Sequence, residues 1–397
     1  MSTVSVYKNA SQKTYDLTQQ QREEYRRISR ASREERVKHL GGKSVLGRPI
    51  NSPLLNPNDL MPKINQPNPL RALSLFSGGG GLDVGFDYSG YEHVASYELI
   101  PICGETLRQN RPDWKIYAGP DEGDVTKADW ETYKGQVDVV HGGPPCQPFS
   151  IAGQQRGSGD ERNMWPEFVR CILTVQPRAF VAENVLGMAG GKFSTFIKTN
   201  IYDAMPEYNI CSFSLNSSHF GVPQVRRRIF FVGLHRQLNM VLQAPLPTHS
   251  IAHFGGEKTT QSDLFRDDSL KMTMGVRQSL GLEYESYDSL APTLRSGFTG
   301  KRNTTSILNS AAGQTSWGAL SIWPNGVQSN RQDAASYPAE KGHFRLSVQD
   351  CALLQGFPED WLFAGAAYQV LGQIGNSVAP PVAYQVAVAV MRSLSVI

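Results

Sequence analysis

The sequence predicts an α/β protein with a mostly parallel sheet and a smaller irregular region. Three observations predict it. From Arg71 onward, short apolar runs alternate with segments of helical spacing, the rhythm of β-α-β units covered on both faces. Between His235 and Phe344 that rhythm stops, and Gly, Ser, Thr, Asn and Gln dominate around scattered aromatics (Phe254, Phe298, Trp317, Trp323). From Arg345 the order returns.

Residues 1 to about 42 are polar and arginine-rich. A helix is expected from Leu17 to His39, with Asp16 or Thr18 as N-cap and Gly41-Gly42 as its stop. Its apolar stripe is thin, so it reads as a solvated helix or a basic arm for phosphates. Recurring Pro and Asn from Lys43 to Pro69 predict an extended linker. Strands follow at Ala72–Phe76, Val94–Glu98, Val137–His141 and Ala179–Glu183, with helices over Ile100–Asn110 and Met164–Val175 between them. Asn209–Leu215 and Ile229–Leu234 add two strands, and the first block ends near Gly233. Beyond Arg345, helices are expected at Val348–Gly356 and Pro380–Leu394.

The chain of 397 residues carries a net charge of only +3, so any nucleic-acid surface must be local. No apolar run approaches the ~18 residues of a membrane span, and the polar N-terminus does not resemble a signal peptide. A cytoplasmic protein is expected. Five cysteines without a C-x-x-C pair argue against a disulfide framework or structural zinc, and no metal-ligand constellation stands out.

Cys146 lies in Pro144-Pro145-Cys146-Gln147-Pro148-Phe149-Ser150, directly after an apolar run. Two prolines make the chain leave the sheet rigidly, which puts a thiol at the carboxyl end of a strand, where open α/β sheets bind ligands. Phe76-Ser77-Gly78-Gly79-Gly80-Gly81-Leu82 follows the first strand. Its glycines let the backbone turn tightly against a ligand, and Glu98, about twenty residues on, suits ribose hydroxyls. This pair alone fits a nicotinamide dinucleotide equally well. Asp124, before Val125, is expected to close the third strand near an adenine ring. Glu183 ends the strand beside that of Cys146. A thiolate near a carboxylate needs cations to remain nucleophilic. Alternation sends Gln224, Arg226 and Arg228 to one face and Arg227 to the other.

Together these residues resemble a DNA cytosine-carbon-5 methyltransferase of the bacterial restriction–modification type. The likeness rests, in that family's order, on the loop at Phe76, Glu98, Asp124, Pro-Cys-Gln at Cys146, Glu-Asn-Val at Glu183, Gln-x-Arg-x-Arg at Gln224, Gln355-Gly356-Phe357-Pro358 and Gly375-Asn376-Ser377-Val378. It covers about residues 71–234 and 345–392. It implies a Rossmann-like class I methyltransferase domain with a mixed, mostly parallel sheet, plus a smaller irregular target-recognition domain. The division is then 1–70 as a basic extension and linker, 71–234 as the catalytic domain, 235–344 as the recognition domain and 345–397 as a returning segment.

The resemblance implies transfer of a methyl group from S-adenosylmethionine to carbon-5 of a flipped-out cytosine. Cys146 would add to carbon-6, Glu183 would serve ring nitrogen 3, and Arg228, supported by Arg226, would bind the 2-carbonyl oxygen. Cofactor contacts are expected from Phe76, Ser77, Gly78, Gly80, Gly81, Leu82, Glu98, Asp124, Val125, Pro144, Asn376, Ser377 and Val378. Contacts to double-stranded DNA are expected from Gln147, Ser150, Arg156, Arg162 and Gln224, with Lys301 and Arg302 reading bases or phosphates. Monomeric action and a companion restriction endonuclease complete the expectation. The alternative substrate is RNA, such as transfer RNA.

Overall fold

The computed structural model describes residues 47–67, 69–145, 163–254, 270–284, 287–294, 305–308, 311–336, 339 and 342–394, with Gln19, Glu23, Arg27, Arg30, Glu34, Val37, Lys38 and Gly41 upstream. Apart from Gly41, these upstream residues are helical.

Seven strands form the main sheet: β1 (Arg71–Leu75), β2 (Glu92–Glu98), β3 (Ile116–Ala118), β4 (Val139–Gly142), β5 (Ala179–Val185), β6 (Tyr208–Asn216) and β7 (Arg227–His235). Their spatial order is β3-β2-β1-β4-β5-β7-β6. All neighbours are parallel except β7, which runs antiparallel to both β5 and β6. The order reverses between β1 and β4, the switch point at which such sheets open a crevice at their carboxyl ends. β4 is buried throughout and β5 through Asn184, because both of their faces are covered.

On one face lies α1 (Gly81–Tyr88) with α6 (Pro380–Leu394), burying Phe86, Val382, Val386 and Val390. On the other lies α3 (Trp165–Val175), whose buried Trp165, Phe168, Ile172 and Val175 recur at helical spacing. Each such side chain stabilises the fold by roughly 1.5–3 kcal/mol. α2 (Pro101–Asn110), α4 (Val348–Gln355) and α5 (Ala367–Asn376) form a third cluster with residues from the irregular region. α4 starts at a capping box, Ser347 with Asp350, and stops at Gly356 in the left-handed conformation. The stretch Ala367–Leu394 is apolar enough by composition to cross a membrane. However, it breaks between α5 and α6, and 78% of its most apolar window is buried within the protein.

Three elements differ from the sequence expectation. The segment expected as a linker packs into the body: Leu55 is buried and Met61 is 0% exposed. The irregular region holds, beside the short strand expected there, β8 (Ile322–Gln328), an unexpected helix, Ala311–Ala319, organised around the buried Trp317. β9 (Phe344–Ser347), which spans the expected boundary at 344/345, pairs with β8. Finally, β3 ends at Ala118, so Asp124 sits in a turn rather than closing that strand.

Candidate active site

The first wall of the crevice is the loop between β1 and α1. Phe76, Gly78 and Gly80 all have positive φ, at 56°, 55° and 88°. For Phe76 this is an uncommon conformation, and it swings the chain out from the sheet edge. Gly80 has no room for a side chain, since a Cβ there would stand 2.6 Å from the Trp361 ring. Trp361 also donates Nε1–H to the Gly79 carbonyl at 3.1 Å. A Cβ on Gly81 would collide with the Val378 carbonyl, and one on Gly79 would crowd Ser377. The Gly375–Val378 segment therefore backs the loop directly. Ser377 and Val378 are buried in that contact, while Asn376 is exposed. Ser77 is tied to Ser74 by a 2.8 Å hydroxyl pair, and Leu82 is buried on α1.

Glu98, at the end of β2, accepts from Gly78 N–H at 2.7 Å with one oxygen and from Ile100 N–H at 2.8 Å with the other. Burial raises its pKa, against these two N–H donors. Each carboxylate oxygen keeps a further lone pair for a second donor. Asp124 accepts from the backbone N–H and hydroxyl of Thr126, at 3.0 and 2.7 Å, and so caps its own turn. Val125 is buried in the core beneath it.

The second wall comes from β4, β5 and β7. Gly142 pairs with Ala182, so the chain leaving β4 runs beside Glu183. Asn184 donates its side-chain N–H to the Pro144 carbonyl at 3.1 Å, pinning the exit toward residue 146. Val185 pairs with Arg228 across the antiparallel strands, and Arg228 Nε meets Glu183 Oε1 at 2.9 Å. Burial raises the Glu183 pKa; Arg228 and then Arg226 pull it down.

Two expected placements are corrected. Arg226, expected beside Arg228 in the crevice, is 2% exposed and turns inward, donating to the carbonyls of Gly375 at 2.8 Å and Ser377 at 2.7 Å. Gln224, expected to meet DNA, is 0% exposed. Its amide donates to Leu354 O and Gln355 Oε1 and accepts from Leu294 N–H. Alternation correctly separates the inward side chains from the exposed Arg227. The inward side, however, is occupied by protein. Cys146, Gln147, Ser150, Arg156, Arg162, Lys301 and Arg302 lie outside the described residues.

Two contributors escaped the sequence reading. Asn184 stands within the Glu-Asn-Val match but was given no role. Trp361, remote in sequence, had no local signal at all.

A sheet of this order, with a glycine loop at one side of its switch point and a carboxylate–guanidinium pair at the other, was compared with known proteins. The model of the C-5 cytosine-specific DNA methylase family matches residues 70–392. This chain belongs to that family. It is 31% identical over 325 residues to the Type II methyltransferase M.NgoMIV of Neisseria gonorrhoeae, covering 81% of this chain and 97% of that protein. It is 28% identical over 354 residues to M.NgoPII of the same organism, covering 82% and 97%. Among solved structures, the S. pombe Dnmt2 methyltransferase superposes with a TM-score of 0.52 at 16% identity, covering 81% of this chain and 99% of that one. The Entamoeba histolytica methyltransferase EhMeth gives 0.54 at 14%, covering 83% and 99%. These last two show the shared fold. As a C-5 cytosine-specific DNA methyltransferase, the chain acts on a ring carbon, and its crevice can be read against that chemistry.

Proposed function

We propose that this methyltransferase modifies cytosine within one short sequence of double-stranded DNA, with S-adenosylmethionine as methyl donor and Cys146 as nucleophile. The observation that carries the reading is the convergence of the pinned Pro144 and Glu183, at the carboxyl ends of β4 and β5, with Arg228 at the adjoining amino end of the antiparallel β7, facing the glycine loop across the switch point. The residues present fit the donor. The positive-φ loop leaves its backbone open to a close approach, and Glu98 is a buried carboxylate at the ribose position. When bound there, S-adenosylmethionine supplies an electrophilic methyl carbon.

The chain's own residues then prepare the base. Cytosine carbon-5 is a poor nucleophile until a thiolate adds at carbon-6. The Cys146 sulfur forms that bond, and the ring's π electrons move toward carbon-5 and nitrogen 3. Glu183 holds its proton to a higher pH than an ordinary carboxyl and can donate to nitrogen 3, which keeps the adduct neutral. Arg228, held against Glu183, donates to the 2-carbonyl oxygen, where charge builds. After transfer, a water acting as base removes the carbon-5 proton, that electron pair restores the carbon-5–carbon-6 double bond as Cys146 leaves as thiolate, and nitrogen 3 returns its proton to Glu183.

The target carbon lies within a stacked duplex, so the base must be extruded into the crevice. Unstacking costs on the order of a few kcal/mol, and contacts to the extruded base must offset it. We assign sequence reading to residues 235–344. The relatives' Type II designation supports a role as the modification half of a restriction–modification system. The test is to incubate the protein with S-adenosylmethionine and unmethylated DNA, then map modified cytosines by bisulfite conversion. Protection at one short recurring motif is expected. Uniform conversion, with S-adenosylmethionine binding intact, would refute the reading.

A further inference from the structure

The family match begins at residue 70, yet the chain just before it is built into the body. Leu54 and Leu55 donate backbone N–H groups to Ser279 O at 3.1 and 3.3 Å. Gly281, at φ +69°, lies so close to the Ser52 carbonyl that no Cβ could stand between them. The segment then crosses to the catalytic domain. Tyr88 donates its hydroxyl to Asn58 at 2.9 Å, Tyr384 donates to Pro62 O at 2.8 Å, and Ile64 N–H meets Tyr88 O at 2.8 Å. One end is thus fastened to residues of the irregular region, the other to α1 and α6.

At the head of this strap stands Asn51. Its Nδ2 donates one hydrogen to Leu280 O and the other to Asp350 Oδ1, both at 3.1 Å. Asp350 is 0% exposed. Its Oδ1 also receives Arg331 Nε at 2.9 Å, and its Oδ2 receives the backbone N–H and hydroxyl of Ser347. Leu280 and Arg331 belong to the irregular region, while Asp350 belongs to α4 of the returning segment. One amide nitrogen therefore spans three chain segments.

We propose that Asn51 is a positioning residue for DNA recognition: by bridging Leu280 and Asp350 it fixes the angle at which residues 235–344 meet the catalytic domain. The proposal rests on the reading of those residues as the sequence-reading region. Without the bridge, that region samples other angles. The apparent affinity for DNA then falls in proportion to the competent fraction. Loss of one hydrogen bond to a buried charged group corresponds to about tenfold.

The test uses the full chain with Asn51→Ala and, acting from the other side of the contact, Gly281→Ala. Circular dichroism and thermal melting establish that each is folded. The DNA probe is an unmethylated duplex carrying the mapped motif, with a second duplex bearing one mismatched base pair. Expected for Asn51→Ala are a KM for DNA raised about tenfold, kcat at saturating DNA within about twofold of the parent, unchanged S-adenosylmethionine affinity, and increased methylation of the mismatched duplex. A folded variant with unchanged KM and selectivity overturns the proposal. So does a joint loss of kcat, DNA affinity and cofactor affinity, which marks a merely structural residue. Hydrogen exchange of the parent with and without duplex separates the two readings. If protection falls outside 235–344, the recognition reading fails and the proposal with it. If protection falls within 235–344 while Asn51→Ala behaves as the parent, only the Asn51 proposal fails.

Discussion

Replacing Glu183 by Gln keeps the side chain's shape and an acceptor toward Arg228, but removes the charge and the transferable proton. The pair is close and shielded: 2.9 Å, with the Arg228 and Glu183 side chains 14% and 10% exposed. Two unit charges about 4 Å apart attract by about 4 kcal/mol at an effective dielectric of ~20. Desolvation of the carboxylate at the buried end of β5 is nevertheless the larger effect, and the net direction of the Glu183 pKa is upward. The protonated form therefore persists above the ordinary carboxylate range. A positioned general acid contributes roughly 10²- to 10⁴-fold. The Gln variant should thus lose at least about 100-fold in the transfer step, or about 2.7 kcal/mol. Folding should suffer less, by about 1 kcal/mol, because the neutral amide oxygen still accepts from Arg228. S-adenosylmethionine affinity should be unchanged, since Glu98 and the glycine loop stand on other strands.

The pH dependence follows with a definite sign. With Glu183 as the proposed proton donor, its protonated form is the active one, so the parent's rate should fall as pH rises through the raised Glu183 pKa. Gln cannot titrate, so that limb disappears in the variant. Single-turnover transfer of a labelled methyl group, with enzyme in excess over duplex and pH varied, measures both quantities. A variant within about tenfold of the parent, with the limb intact, would refute the assignment of Glu183 as proton donor.

Asp83, in the first turn of α1, is fully buried and bonded to Ser96, and burial raises its pKa from the ordinary 3.8 to about 6. Its contribution to stability is present below pH ~4 and is lost as pH rises to about 6, a change of about 3 kcal/mol. Asp83→Asn should therefore gain on the parent by up to about that amount between those pH values in urea unfolding, and a constant difference would refute the shift. Gly80→Ala places a methyl group against Trp361 at φ 88°. Strain and overpacking of about 1–3 kcal/mol should raise the S-adenosylmethionine Kd at least about tenfold by calorimetry. An unchanged Kd would remove the loop from the cofactor site.

Much of the catalytic domain was legible because its strands are buried on both faces and its helices carry regular apolar stripes. β1, β2 and β5, together with α2, α3 and α6, stand at or near the expected positions. The strap was misread because Pro and Asn set its local conformation, whereas its burial depends on where Leu55 and Met61 find partners. The helix around Trp317 was hidden for the same reason: tertiary packing overrides a Gly-, Ser- and Asn-rich composition. In the site, spacing showed that Gln224, Arg226 and Arg228 share a side. It could not show that Gln355 and the carbonyls of Gly375 and Ser377 would already occupy that side.

That occupation bears on how the two halves of the crevice stay in register. Ser377 O receives both Arg226 Nη2 and Gln355 Nε2, each at 2.7 Å, and the neighbouring Val378 carbonyl is what a side chain at Gly81 would strike. The backbone that supports the glycine loop is thus held by the arginine two residues before Arg228, which pairs with Glu183. A shift of the Gly375–Val378 segment would move the loop and would also loosen the strand end that presents Arg228. Neither wall can relax alone, because each buried N–H donor would lose its acceptor at a cost of about 1–3 kcal/mol. Arg226 therefore ties the two walls together from behind. Its positive charge still lowers the Glu183 pKa against burial, and its hydrogen bonds hold the backbone behind the glycine loop to the strand end that presents Arg228.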